Sequence, residues 1–209
     1  SQQITSVSGT VTGIHHAPGD MARIYITTDV GTIWIMKGDT RLATPMLTIP
    51  NVDFGAENGL LGMAFDPQFQ TTRRFYVFVK SMLVSGGTSL PRVLSYTMMP
   101  NSWDQADPAS RRVVLEMTAS VLHVGGWIGF GPDGYLYISR GDNGTSGTHS
   151  QSIDSLNGKI LRIDLSSDEF PDDPNRNYAI PPSNPFAGAT PGADAVSYTH
   201  LRAHETLRY

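Results

Sequence analysis

The chain has 209 residues, enough for one domain with a real core. Hydrophobic residues make up 39% and charged residues 16%, and 21 Gly with 14 Pro demand many turns, a balance that favours all-β over helical architecture. A net charge of −4 without a basic block argues against nucleic acid or an anionic membrane as partner. The absence of cysteine removes disulfides, thiolate metal sites and cysteine nucleophiles. No apolar run is long enough to cross a membrane. The chain opens on Ser1 rather than methionine, as expected if a leader were removed or the chain were internal to a longer one.

Taken in order, Ile4–Ile14 alternates Val and Ile with Thr, Ser and Gly and reads as an edge or closing strand. Ala22–Thr27 and Thr32–Met36 read as a hairpin around Asp29-Val30-Gly31, and Leu42–Ile49 leads into a loop over Pro50–Glu57. A second unit begins at Gly59–Phe65, turns at Asp66-Pro67-Gln68-Phe69, and continues through strands at Arg74–Lys80, Arg92–Met98 and Arg111–Met117, with a polar loop over Asn101–Ser110. The third unit runs from His123 through Trp127–Phe130, a turn at Gly131-Pro132-Asp133-Gly134, a strand at Tyr135–Ser139 and another at Gly158–Leu165. Gly141–Ser155 reads as a loop. After Asp168 the chain becomes Pro/Asp/Asn-rich and reads as a long excursion without regular structure.

These units repeat. Aromatic-centred strands fall at Tyr25, Tyr76 and Tyr135, about 50–60 residues apart, and the last two follow a shared Phe-x-Pro turn. A four-stranded repeat of this length is a β-propeller blade. The expectation is three blades, near 10–50, 51–118 and 119–188, within a partial propeller domain over 1–195. Propellers close with about four to eight blades, so three imply a truncated ring with bare edges, which homodimer formation through the open blades would cover. From Val196 the composition shifts to Arg and His. The run Ser197–Thr206 resembles translated sequencing-adapter read-through at the ends of assembled environmental genes, so 196–209 is expected to be an artefactual tail rather than a site built from His200 and His204. The other reading of this tail is a short amphipathic helix.

The stretch Leu122–Asn143 carries the chemistry. In antiparallel neighbours the start of one strand lies beside the end of the next, so His123, read as starting a strand, and Asp142, which ends the following one, are expected at one rim. A histidine oriented by a carboxylate makes a general base. The alternative is a solvated histidine and a turn aspartate. Gly125-Gly126 lets the backbone pass close to a neighbour. His15-His16 reads as a polar loop entry, because adjacent strand residues face opposite sides. Asp168, Glu169, Asp172 and Asp173 read as a solvated acidic loop rather than a calcium site. Trp34 and Trp103 read as packing residues, while Trp127 adjoins the glycine pair at the rim.

The ordered set Glu57–Phe69, His123-x-Gly125-Gly126, Phe130–Gly134 with Leu136-Tyr137, Gly141–Gly144, Gln151, Leu156-x-Gly158–Arg162 and Ile180–Phe186 resembles the soluble PQQ-dependent sugar dehydrogenase family of the glucose/sorbosone type. The resemblance covers about residues 10–188 and implies a six-bladed propeller, here its N-terminal half. It implies oxidation of an aldose at its anomeric carbon, with His123 taking the hydroxyl proton while hydride goes to the quinone, and Asp142 orienting His123. It places Glu57, Asn58, Gly125 and Gly126 against the cofactor and assigns no metal ligand here. PQQ and Ca²⁺ are the implied cofactors, a small sugar the implied substrate, and the periplasm or the outside of the cell the implied location. Family members often carry polar residues where Leu122 and Val124 stand. The family's arginine and lysine clamps on PQQ and its calcium ligands belong to later blades, so this chain alone is expected to bind PQQ poorly and to be inactive. The contrasting reading is a propeller that has lost its chemistry and binds a protein or glycan.

Overall fold

The structure, a computed structural model, describes residues 7–144, 148–188 and 195–199. Three antiparallel sheets follow one another along the chain. The first contains β1 (Val11–His15), β2 (Ile24–Thr28), β3 (Thr32–Lys37) and β4 (Thr40–Arg41), with β5 (Leu47–Thr48) also pairing with β3. The second contains β6 (Leu60–Phe65), β7 (Arg74–Ser81), β8 (Leu90–Met98) and β9 (Ala106–Glu116), and a single helical turn, α1 (Phe69–Thr72), lies between β6 and β7. The third contains β10 (Gly125–Phe130), β11 (Leu136–Arg140), β12 (Lys159–Ile163) and β13 (Val196–Thr199), with α2 (Thr148–Gln151) between β11 and β12.

The order of strands in each sheet is the order of the chain, as in propeller blades. The first strands of the sheets, β1, β6 and β10, lie side by side. The approach of β6 to β10 is close enough that a Cβ on Gly62 would stand 2.1 Å from the Gly126 carbonyl oxygen. Side chains explain the stacking. In β7, Phe75, Val77 and Val79 enter the core shared with the first sheet, while Tyr76 and Phe78 enter the core shared with the third. A middle sheet covered on both faces needs apolar residues at every position, and Phe75–Val79 supplies them.

The first sheet's other face is different. The cross-strand row Ile14–Ile26–Trp34 and its neighbour Ile24 lie on it, with Ile14 71% and Ile24 46% exposed. That face carries two exposed isoleucines, and the Arg41 guanidinium lies 4.0 Å over the Trp34 ring.

Several local outcomes differ from the sequence expectation. Strand β1 starts at Val11 rather than at Ile4, and residues 4–6 lie outside the described residues. Strand β9 begins at Ala106, inside the segment read as a polar loop. As the edge strand of its sheet it tolerates Pro108, and the pairing with β8 shifts register between Ser95 and Thr97. Residues 148–151 form a helical turn inside the expected Gly/Ser/Thr loop. The third sheet takes its outer strand from Val196–Thr199, beyond residue 188 and inside the segment read as a tail; Lys159 pairs with Thr199 and Ile160 with Tyr198. His200 and His204 lie outside the described residues. The excursion after Asp168 has no strand of its own, but Phe170, Tyr178 and Phe186 pack it on the core between the second and third sheets.

Candidate active site

The turn at Gly131–Gly134 closes as its residues require, with the Gly134 N–H donating to the Gly131 carbonyl at 3.0 Å and Gly134 at φ +82°. It returns β11 antiparallel to β10, with Gly125 opposite Arg140, so the residues flanking this pair meet at one rim. His123 lies two residues before β10 rather than inside it. Its φ is +49°, a left-handed conformation unfavourable for a residue with a Cβ. Asp142 lies two residues after β11.

His123 Nδ1 is 2.7 Å from Asp142 Oδ1. An ionised carboxylate only accepts, so Nδ1 carries the hydrogen and Nε2 is left with its lone pair. Nε2 has no protein partner among the described residues, and the His123 side chain is 55% exposed. The hydrogen bond and charge of Asp142 raise the pKa of His123 above its ordinary 6.5, and the charge of Glu57 adds to this. Asp142 is held below the usual carboxylate range, first by the Gly144 N–H, which donates to Oδ1 at 3.0 Å, and then by His123 against an opposing burial effect.

Glu57 reaches the same rim from the loop before β6, and its Oε2 accepts the backbone N–H of His123. The carboxylates of Glu57 and Asp142 thus hold one residue at its backbone and its ring. Lys80 Nζ donates to Oδ1 of the neighbouring Asn58 at 3.2 Å and also pairs with Asp53 at 3.0 Å. Lys80, 7% exposed, therefore ties down the loop that presents Glu57.

Gly125 and Gly126 are required by neighbouring protein. A Cβ on Gly125 would stand 2.5 Å from the Ser139 carbonyl oxygen, and one on Gly126 would stand 2.4 Å from Leu61 Cβ. Trp127 is 62% exposed, and its indole covers Gly129. Of the two apolar positions flanking His123, Val124 turns into the core at 1% exposure, so only Leu122 alters the rim surface.

The sequence reading passed over four buried cations at the strand ends of the second and third sheets: Lys80, Arg92, Arg140 and Lys159. Lys159 Nζ donates to the carbonyls of His149, Ser150 and Asn157 at 2.8–2.9 Å. Arg140 donates to the carbonyls of Val124 and Thr118. A signal was available, because the period of two in Leu136-x-Ile138-x-Arg140 puts a guanidinium on an apolar face.

His15 and His16 form no joint site. His15 contacts Thr27 Oγ1 at 3.3 Å and is pushed to a lower pKa by burial, while His16 is exposed. Three residues of the acidic loop cap their own backbone: Asp168 accepts from Phe170 N–H, Asp173 from Asn175 N–H, and Glu169 from Ile180 N–H. No cluster of three metal-ligating side chains occurs among the described residues.

The arrangement suits a proton acceptor. A tricarboxylate such as PQQ needs opposing cations. Lys80, Arg92, Arg140 and Lys159 are all buried and committed to protein oxygens. The described residues therefore fit proton acceptance at the rim and do not fit the clamp for that cofactor.

The profile of the glucose/sorbosone dehydrogenase family matches residues 12–200. Hedgehog-interacting protein of Mus musculus is 30% identical over 86% of this chain and 27% of its own length. HIPL2 protein of Arabidopsis thaliana is 31% identical over 82% of this chain and 32% of its own. The PQQ-bound aldose sugar dehydrogenase of Streptomyces coelicolor superposes with a TM-score of 0.69 at 26% identity, over 90% of this chain and 51% of that one. The soluble aldose sugar dehydrogenase of Escherichia coli, at 23% identity and a TM-score of 0.69, shares the fold. The chain thus spans about a third or less of these curated relatives and about half of the solved enzymes. The chain belongs to the glucose/sorbosone dehydrogenase family.

Proposed function

We propose that this chain carries the proton-accepting half of a PQQ-dependent dehydrogenase site that oxidises an aldose at its anomeric carbon. The observation that carries the reading is the His123–Asp142 pair at 2.7 Å, in a side chain that is 55% exposed and whose Nε2 has no protein partner among the described residues. Asp142 fixes the tautomer and stabilises the imidazolium that forms. Nε2 takes the anomeric hydroxyl proton, and loss of that proton promotes departure of the hydride from the same carbon. PQQ, when bound, supplies the two-electron acceptor. Glu57, Asn58, Gly125 and Gly126 are proposed to face it, and Ca²⁺ is proposed to accompany it. Trp127 is proposed to border the sugar. A periplasmic or secreted location is proposed from the family, and no helix among the described residues is long and apolar enough to cross a membrane. The flank Ile14–Ile26–Trp34 is proposed to pair two copies, which light scattering on the purified chain would detect as a dimer.

A second reading is a non-catalytic propeller that binds a protein or glycan. It is favoured by the 30% identity to Hedgehog-interacting protein and by Leu122, an apolar residue 45% exposed beside His123.

A chimera separates the two. Residues 12–188 replace the matching part of the Streptomyces coelicolor enzyme, and aldose-dependent dye reduction is followed with PQQ and Ca²⁺. Reduction supports the dehydrogenase. A chimera that folds and binds PQQ yet oxidises no aldose supports the binding module.

A further inference from the structure

His123 stands in a stretch, 117–124, that has neither helix nor strand, and its backbone is in the left-handed region. Such a conformation persists only where its surroundings hold it. One side chain holds both ends of this stretch. Arg140 Nη1 donates to the Val124 carbonyl at 2.8 Å and lies 3.4 Å from Ser120 Oγ, and Nη2 donates to the Thr118 carbonyl at 3.2 Å. The Val124 carbonyl also accepts the Gly141 N–H at 3.2 Å.

Arg140 is 1% exposed. Among the described residues it has no carboxylate partner, and burial pushes its guanidinium down to about 10. A buried cation needs compensating hydrogen bonds, and here the backbone carbonyls around His123 supply them at both terminal nitrogens, while Nε has no partner among the described residues. Leu136 and Ile138, on the same face of β11, fill space without any charge. The guanidinium contributes a fork whose two nitrogens reach carbonyls six residues apart.

We propose that Arg140 is a positioning residue for His123: its buried fork fixes the 118–124 stretch so that the imidazole meets Asp142. The proposal deepens the reading of His123 as proton acceptor and rests on it.

The charged groups facing His123 are Asp142 at its ring and Glu57 at its backbone N–H, with Arg140 beneath the next carbonyl. This gives the test a sign. Removing a nearby positive charge, with the geometry kept, raises the pKa of His123. Freeing the stretch breaks the Asp142 contact and lowers it.

The experiment is NMR titration of the His123 imidazole in the whole chain without cofactor, for the wild type, Arg140→Lys, Arg140→Met and Arg92→Met. Arg140→Lys keeps the charge and loses the fork. Arg92, 4% exposed, is a buried cation whose hydrogen bonds go to Glu116 and to the carbonyls of Ser81 and Leu90, outside the 118–124 stretch. The expected result is that both Arg140 variants titrate below the wild type, towards 6.5, and Arg92→Met does not. An unchanged or raised titration in the Arg140 variants, the same fall in Arg92→Met, or unfolding of both Arg140 variants would overturn the proposal. The readout is a proton and not turnover, so failure here and failure of the aldose-oxidation reading are separable.

Discussion

Gly141 lies directly beneath the carbonyl of His123. A Cβ at Gly141 would stand 1.6 Å from that oxygen and 2.4 Å from its carbon. The obstacle is backbone and not the end of a flexible side chain, so Gly141→Ala must displace the His123 stretch. The variant is expected to lose about 1–3 kcal/mol of stability by overpacking, measured by urea unfolding. It should also lose the raised His123 titration, because the displaced imidazole no longer meets Asp142.

Asp142→Asn removes the charge and leaves a neutral amide. The folded-state pKa of His123 lies above its ordinary 6.5 because of Asp142, so the pair stabilises the fold fully below about 6.5 and the contribution fades as pH rises through the folded value. Asp142→Asn should remove most of this pH dependence, leaving the smaller effect of Glu57, and move the imidazole titration to lower pH by NMR. In an active chimera it should also lower the rate by about 10²–10⁴, the usual contribution of an oriented general base.

Lys80→Met frees the loop before β6. Lys80 holds Asp53 at 3.0 Å and Asn58 at 3.2 Å, with Glu57 between them in sequence. Asp53 also accepts from Ser89 at 3.1 Å and is partly exposed, so the fold should survive with a loss of roughly 1–3 kcal/mol. Hydrogen exchange at the His123 amide, which Glu57 protects, should accelerate more than exchange at Val77 in the core.

Lys159→Met leaves three carbonyls, two of them in buried bonds, without this donor. The expected cost is also about 1–3 kcal/mol. Exchange should rise first at residues 149–157, since Lys159 Nζ holds both ends of that segment.

Strand alternation, glycine turns and the repeated Phe-x-Pro made the three sheets legible, because each is local information. The middle sheet was the clearest, since burial on both faces leaves Phe75–Val79 apolar without interruption. The start of β9 was not legible: Asp107 and Pro108 suggest a loop, and only their place on an edge strand admits them. At the site, the meeting of His123 and Asp142 followed from hairpin geometry. The left-handed backbone of His123 did not, because it comes from contacts distant in sequence: Glu57 at its N–H, Gly141 under its carbonyl and Arg140 at the next one. The glycine pair announced a close approach, and the neighbours turned out to be Ser139 and Leu61.

The central claim is that His123 is the proton acceptor for aldose oxidation. The most direct measurement is the pH profile of aldose-dependent dye reduction in the chimera, with and without His123→Ala. The account predicts a rate that rises with pH through a value above 6.5 and falls by about 10²–10⁴ in the variant. A variant that keeps its rate and its pH profile would place the base elsewhere and contradict the account.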